Sequence, residues 1–142
     1  MTKSPVCIDA SFAVKLAIPE GGSDAAEVAW GRWHDDGFEV VAPGLIWYEL
    51  TSVVRKRVYR NLLTLDEARD ALEYLLALEV TTLSGPDLHR SACELATMAN
   101  LAAAYDAHYI AAALALGCPL WTADRGLHET AARVLDDVNL VG

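Results

Sequence analysis

The stretch Val6-Cys7-Ile8-Asp9-Ala10-Ser11 decides how the chain is read. Three consecutive apolar residues, two of them β-branched, end in an aspartate, and no polar residue alternates among them. Such a run is expected as a strand buried on both faces, the kind that builds parallel sheets. Ser11 and its neighbours then open a helical pattern to about Ile18, where Pro19 and the Gly21-Gly22 pair stop it. Parallel sheets bind ligands at the carboxyl ends of their strands, and Asp9 stands at such an end.

The alternation continues along the chain. Asp24 and Glu27 have the spacing of a capping box for a second helix, ending near Gly37. Phe38 to Ala42 reads as a strand, and Pro43 starts a helix to about Tyr59. Thr64 and Glu67 form another capping pattern, for a helix to about Leu78. Val80 to Leu83 is a short strand. Ser84, Pro86 and Asp87 begin a helix that stops near Asn100. Leu101 to Leu116 is an alanine-rich helix closed by Gly117 and Pro119. Leu120-Trp121-Thr122 is a strand with Asp124 just beyond it. A short helix and a last strand, Val138 to Val141, finish the chain. Strands alternating with helices imply an α/β fold, a parallel sheet covered on both faces. There is neither repeat nor linker, and 142 residues suit one domain, 1–142.

Composition narrows the function. Apolar residues make up 54% of the chain, so a sizeable core is expected. The net charge of −9 repels nucleic acid at long range, which excludes a nonspecific coat protein but not a nuclease whose cations reverse the local sign. Cys7, Cys93 and Cys118 are odd in number and far apart, and no C-x-x-C pair exists. They read as small buried hydrophobes in a reducing compartment. The histidines, His34, His89, His108 and His128, show no zinc-binding spacing, and His108 reads as packed or partner-facing. The N-terminus lacks the apolar run of a signal peptide. Leu101 to Leu116 falls short of the roughly 20 residues that span a bilayer. A soluble, cytoplasmic protein with no membrane contact is expected.

Four carboxylates then stand out, each with an ordinary alternative. Asp9 could cap the first helix, although Ser11 could do so equally well and leave Asp9 free. Asp106 has Ala102, Ala103, Tyr109, Ile110 and Ala113 at helical spacing and no basic residue three or four positions away. A carboxylate on so apolar a face is expected to be buried or half-buried and to need a partner; the ordinary one is a hydrogen bond from a tyrosine, and a metal ion would also fill the role. Glu49 falls at the edge of the apolar face of its helix, where a solvated glutamate is also common. Asp124 could cap the helix that follows it or pair with Arg125. Together the four would make a hard-cation site, because oxygen ligands select Mg²⁺ or Mn²⁺ over zinc.

With these residues in hand the chain resembles a known family. The segments Ile8-Asp-Ala-Ser11, the helix glutamate Glu49, Ala104-Tyr-Asp-Ala-His-Tyr-Ile110 and Trp121-Thr-Ala-Asp-Arg-Gly-Leu127 look like the four acidic motifs of PIN-domain nucleases. Their order and spacing are similar to those of VapC-type toxins from bacterial toxin–antitoxin pairs, over nearly the whole chain. The resemblance implies a three-layer α/β/α domain with a short, mainly parallel sheet. It implies a Mg²⁺- or Mn²⁺-dependent endoribonuclease, a homodimer, and a small antitoxin that covers the site. It makes Asp9, Glu49, Asp106 and Asp124 the catalytic metal ligands, with Ser11 and Thr122 as supporting or substrate-contacting hydroxyls. Many relatives carry Asn three positions after the glutamate, where this chain has Ser52.

An acidic nuclease must still hold RNA. Four of the eleven basic residues fall within Arg55-Lys56-Arg57-Val58-Tyr59-Arg60. On a continuing helix, Lys56 and Arg60 lie within about 20° of the direction of Glu49, and they are expected to bind RNA phosphates. The ordinary alternative is a solvated basic helix end facing the helix dipole. Two other functions compete: a PIN-fold binding module without catalysis, and a phosphatase with a phosphorylated strand-end aspartate. The latter would want a second aspartate two positions after Asp9, where this chain has Ser11.

Overall fold

A computed structural model describes residues 3–142. Five strands form one sheet: β1 (Pro5–Ile8), β2 (Glu39–Pro43), β3 (Thr81–Leu83), β4 (Leu120–Thr122) and β5 (Val138–Leu140). Their order is β3-β2-β1-β4-β5, and every pairing is parallel. The apolar runs of β1 and β2 occupy central positions, where both faces are covered. Val6, Cys7, Ile8, Val40, Val41 and Ala42 are all buried. The edge strand β3 instead exposes Thr81 and Thr82.

Among the described residues there are also seven helices: α1 (Ala10–Ala17), α2 (Ser23–Asp35), α3 (Leu45–Tyr59), α4 (Leu65–Leu76), α5 (Pro86–Met98), α6 (Tyr105–Leu116) and α7 (Arg125–Ala131). On one side α1 packs with α2, α3 and α4; on the other α6 lies against β1 and β2 with α5 beside it. The three-layer α/β/α arrangement is therefore present. Phe12, Trp33 and Trp121 interlock beneath α1, with ring centroids 5.2–6.3 Å apart. Trp30 and Trp47 are half-buried against the same core.

Local signals set most boundaries. Thr64 and Glu67 close a reciprocal capping box at α4. Asn100 (φ 55°) and Gly117 (φ 59°) take the left-handed conformation that ends α5 and α6. The Asp24–Glu27 box does not form. The helix begins two residues earlier, with Gly22 at the N-cap, and Asp24 sits inside its first turn. Gly22 has φ 89°, and a Cβ there would meet the backbone of Gly142 at 2.9 Å, so glycine is required. The alanine-rich helix starts at Tyr105 rather than Leu101, because the turn after Asn100 delays it. Cys7 and Cys118 are buried as expected, whereas Cys93 is exposed.

Candidate active site

The sheet order places the site. Strands run outward from β1 in both directions, to β2 and β3 on one side and to β4 and β5 on the other. The crevice between the carboxyl ends of β1 and β4 is the topological switch point, where open α/β sheets bind ligands. Asp9 follows β1 and Asp124 follows β4 by two residues. The register pairs Ile8 with Trp121 and so brings the two ends level.

Asp9 is 4% exposed, and both of its oxygens are engaged. Oδ1 accepts from the Phe12 amide (2.9 Å), and Oδ2 accepts from Thr122 Oγ1 (2.7 Å). Ser11 Oγ lies 2.8 Å from each oxygen. Asp9 is thus the N-cap of α1 itself, and Ser11 does not relieve it of that role. Two hydroxyl relays stand behind it. The Ala123 amide donates to Ser11 Oγ, and the Asp124 amide donates to Thr122 Oγ1. Each hydroxyl accepts from the backbone after β4 and passes its own hydrogen toward the carboxylate of β1. The fully buried Thr122 thereby locks the two strand ends together.

Glu49 is half-buried on α3, at the edge of the apolar face, as its position in the helix implied. Its Oε1 accepts from the buried hydroxyl of Tyr109, one turn beyond Asp106 on α6. Burial and this bond hold the phenol far above its usual pKa, so it acts as a permanent donor. Tyr109 stood among the helical neighbours of Asp106, and its spacing was the available signal. What the sequence did not show is that its hydroxyl serves Glu49. Asp106 itself is exposed in the first turn of α6 rather than buried. Ala102 and Ala103 precede the helix, so its surroundings are less apolar than a longer helix would have made them. Asp124 is exposed and caps α7 through the Leu127 amide (3.1 Å). It forms no ion pair with Arg125 among the described residues.

The electrostatics show that the four carboxylates sense one another. Burial pushes Asp9 up from its ordinary 3.8 to about 6 against the pull of its hydrogen bonds, and the charge of Asp124 adds to the rise. Asp106 is raised by desolvation and by Asp124. Glu49 is raised by desolvation and by Asp106, while the bond from Tyr109 and the charges of His108 and Lys56 oppose this. Asp9, Asp124, Asp106 and Glu49 therefore form a continuous chain of repulsion. Among the described residues, no three His, Cys, Asp or Glu side chains already converge as a ligand set for one ion. The donors present are carboxylate oxygens, which suit a hard cation that keeps several waters and not a zinc cage of nitrogen and sulfur.

The basic segment divides. Arg57 pairs with Glu20 (3.0 Å), which also holds Lys15 (3.1 Å), so Arg57 serves the junction of α1 and α3. Arg55 lies over the ring of Tyr59. Lys56 and Arg60 are exposed and enter no ion pair among the described residues.

Comparison with known proteins identifies the family. A model of the PIN domain matches residues 6–133. A VapC ribonuclease of Mycobacterium bovis is 34% identical over 125 residues, covering 88% of this chain and 90% of that protein. The ribonuclease VapC9 of Mycobacterium tuberculosis matches to the same extent. The chain belongs to the PIN-domain family, on the branch of the VapC ribonucleases. Two solved structures share the fold at low identity. VapBC2 of Rickettsia felis, crystallised with a DNA fragment from its promoter, has a TM-score of 0.72 at 11% identity, covering 97% of this chain and 99% of that one. VapC20 of Mycobacterium tuberculosis, a toxin that cleaves the sarcin–ricin loop, has a TM-score of 0.70 at 17% identity, covering 94% and 98%. Among the described residues no helix is long and apolar enough to cross a membrane.

Proposed function

We propose that residues 1–142 act as one endoribonuclease unit that hydrolyses RNA phosphodiester bonds, as the toxin of a VapBC-type pair. The observation that carries this reading is the chain of four mutually repelling carboxylates at the sheet's switch point, with no arginine or lysine paired into it among the described residues. Repulsion of that kind is relieved by cations. Asp9, Asp106, Asp124 and Glu49 would hold Mg²⁺ or Mn²⁺, which when bound lowers the pKa of a water and polarises phosphoryl oxygens.

The chain's own groups supply positioning. Ser11 and Thr122 fix the rotamer of Asp9 through the backbone of residues 123 and 124. Tyr109 aims the carboxylate of Glu49, which is placed to orient or deprotonate the attacking water. Lys56 and Arg60 hold phosphates of the incoming strand. Its similarity to VapC ribonucleases supports cytoplasmic action as a homodimer held inactive by an antitoxin that covers the site.

The test is cleavage of single-stranded and structured RNA with Mg²⁺ or Mn²⁺, by wild type and by Asp9→Asn. Cleavage by the wild type that chelator and the substitution both abolish is the expected result. Folded wild type that binds RNA but leaves it intact with either ion would favour a binding module instead.

A further inference from the structure

A second donor pair lies outside the carboxylate site. His89 on α5 and His108 on α6 face each other, with His89 Nδ1 and His108 Nε2 2.9 Å apart and their rings at 71°. The other nitrogen of His108, Nδ1, lies 2.7 Å from the carbonyl of Ala104. A carbonyl only accepts, so Nδ1 carries a proton, and the tautomer this fixes has its lone pair on Nε2, facing His89. An imidazole held by a carbonyl at one nitrogen and offering its lone pair at the other has the arrangement of metal-ligating histidines. The separation fits as well. Two bonds of about 2.05 Å to one ion put their nitrogens about 2.9 Å apart at a right angle and about 3.3 Å apart at the tetrahedral angle.

We propose that His89 and His108 form a binding site for a divalent transition metal of the Zn²⁺, Ni²⁺ or Cu²⁺ class, separate from the hard-cation site. Without metal the pair is joined by the N–H of His89. Binding needs the change of His89 to its other tautomer, which frees Nδ1, and a swing of the exposed His89 ring, because an ion with bonds of about 2.05 Å must sit off the line between the two nitrogens. The pair borders a groove of about 480 Å³ whose lining includes Leu45, Tyr48, Leu83, Leu88 and Tyr105, and water can complete the coordination from that side. Imidazole ligands explain the selectivity, because nitrogen donors suit zinc, copper and nickel and not magnesium. An ion at this point ties α5 to the first turn of α6, which carries Asp106. The proposal does not depend on the nuclease reading.

The test is calorimetric titration of the metal-free full chain with Zn²⁺ alone, followed by Cu²⁺ with electron paramagnetic resonance. A Zn²⁺-binding event with Kd below about 1 mM is expected that is retained in Asp9→Asn, where the carboxylate site is impaired, and weakened by about tenfold or more in His89→Gln and in His108→Gln. The Cu²⁺ spectrum should show nitrogen couplings that either histidine substitution reduces. His89 is exposed, so His89→Gln keeps the fold, which circular dichroism checks. Zn²⁺ affinity unchanged in His89→Gln, lost in Asp9→Asn, or absent below about 1 mM in the wild type would overturn the proposal.

Discussion

Replacing Asp9 by Asn separates what this carboxylate does for the fold from what it does for chemistry. Its pKa rises from 3.8 to about 6 on folding, first because it is desolvated and then because Asp124 repels it. A group whose folded pKa is raised contributes stability that is fully present below the unfolded value and is lost as pH rises through the folded value. The metal-free protein should therefore lose stability between about pH 4 and pH 7, by about 3 kcal/mol from this residue, two pKa units at about 1.4 kcal/mol each. Glu49 and Asp106 are raised too and add to the same trend. In Asp9→Asn, the amide oxygen can still cap α1 by accepting from Phe12, since Asn caps as well as Asp. The new NH₂ faces Ser11 and Thr122, whose hydrogens must turn away, at a cost of about 1 kcal/mol. The net expectation is a gain of about 2 kcal/mol at neutral pH in chelator, with a flatter pH dependence than wild type. Saturating Mg²⁺ should stabilise wild type, by about 2.7 kcal/mol at a hundredfold excess over Kd, and leave the variant nearly unmoved. Urea denaturation at several pH values, with and without Mg²⁺, measures all of this. If Asp9→Asn is less stable than wild type at neutral pH in chelator, the burial argument is wrong.

Three further variants probe the parts separately. Tyr109→Phe removes the donor to Glu49; the pKa of Glu49 should rise further, moving the acid limb of the pH–rate profile upward, and the rate should fall by about tenfold or more. An unmoved acid limb would show that Tyr109 is only packing. Lys56→Ala with Arg60→Ala should weaken RNA binding and reduce the slope of log K against log salt by about 0.7 for each phosphate that is no longer neutralised, with Mg²⁺ binding unchanged; equal RNA affinity in the double variant would remove the stripe from the substrate path. Thr64→Ala breaks the capping box of α4 and should cost about 1 kcal/mol in urea denaturation without touching cleavage.

Legibility differed between fold and site for physical reasons. Val6 to Ile8 and Leu120 to Thr122 were readable as strands because a central parallel strand has no wet face and needs no alternation. Helix ends were readable where one residue type dominates the conformation, as at Thr64, Asn100 and Gly117. They were misread where a glycine took over a cap, as at Gly22, or where a turn delayed the helix, as before Tyr105. The aspartates at β1 and β4 could be placed at strand ends from local pattern alone. What brings them level is the insertion of β1 between β2 and β4, a property of sheet order that no local window contains. Asp106 shows the reverse limit: its apolar neighbours implied burial, yet its place in the first turn of α6 leaves it open to solvent.

The double duty of Asp9 and Asp124 follows from the same geometry. Each caps the helix that leaves its strand, so each is fixed by backbone amides before any cation arrives. Capping and ligation look like rival uses of a carboxylate, but a carboxylate has about four lone-pair sites and a single cap uses one. The capped oxygen sets the rotamer, and the remaining sites face the crevice or the hydroxyls behind it. For Asp124 this leaves one oxygen without a protein donor among the described residues, since only Oδ1 accepts, from Leu127. For Asp9 both oxygens have donors, so a cation must compete with the hydroxyls of Ser11 and Thr122 or share an oxygen with them. Those hydroxyls can yield for about 1 kcal/mol, because each also accepts a backbone amide that keeps it in place while its hydrogen turns. The buried carboxylate thus holds its position through the amide of Phe12 and adapts through two rotatable hydrogens. A site that must be rigid in place and still exchange its ligands needs that combination.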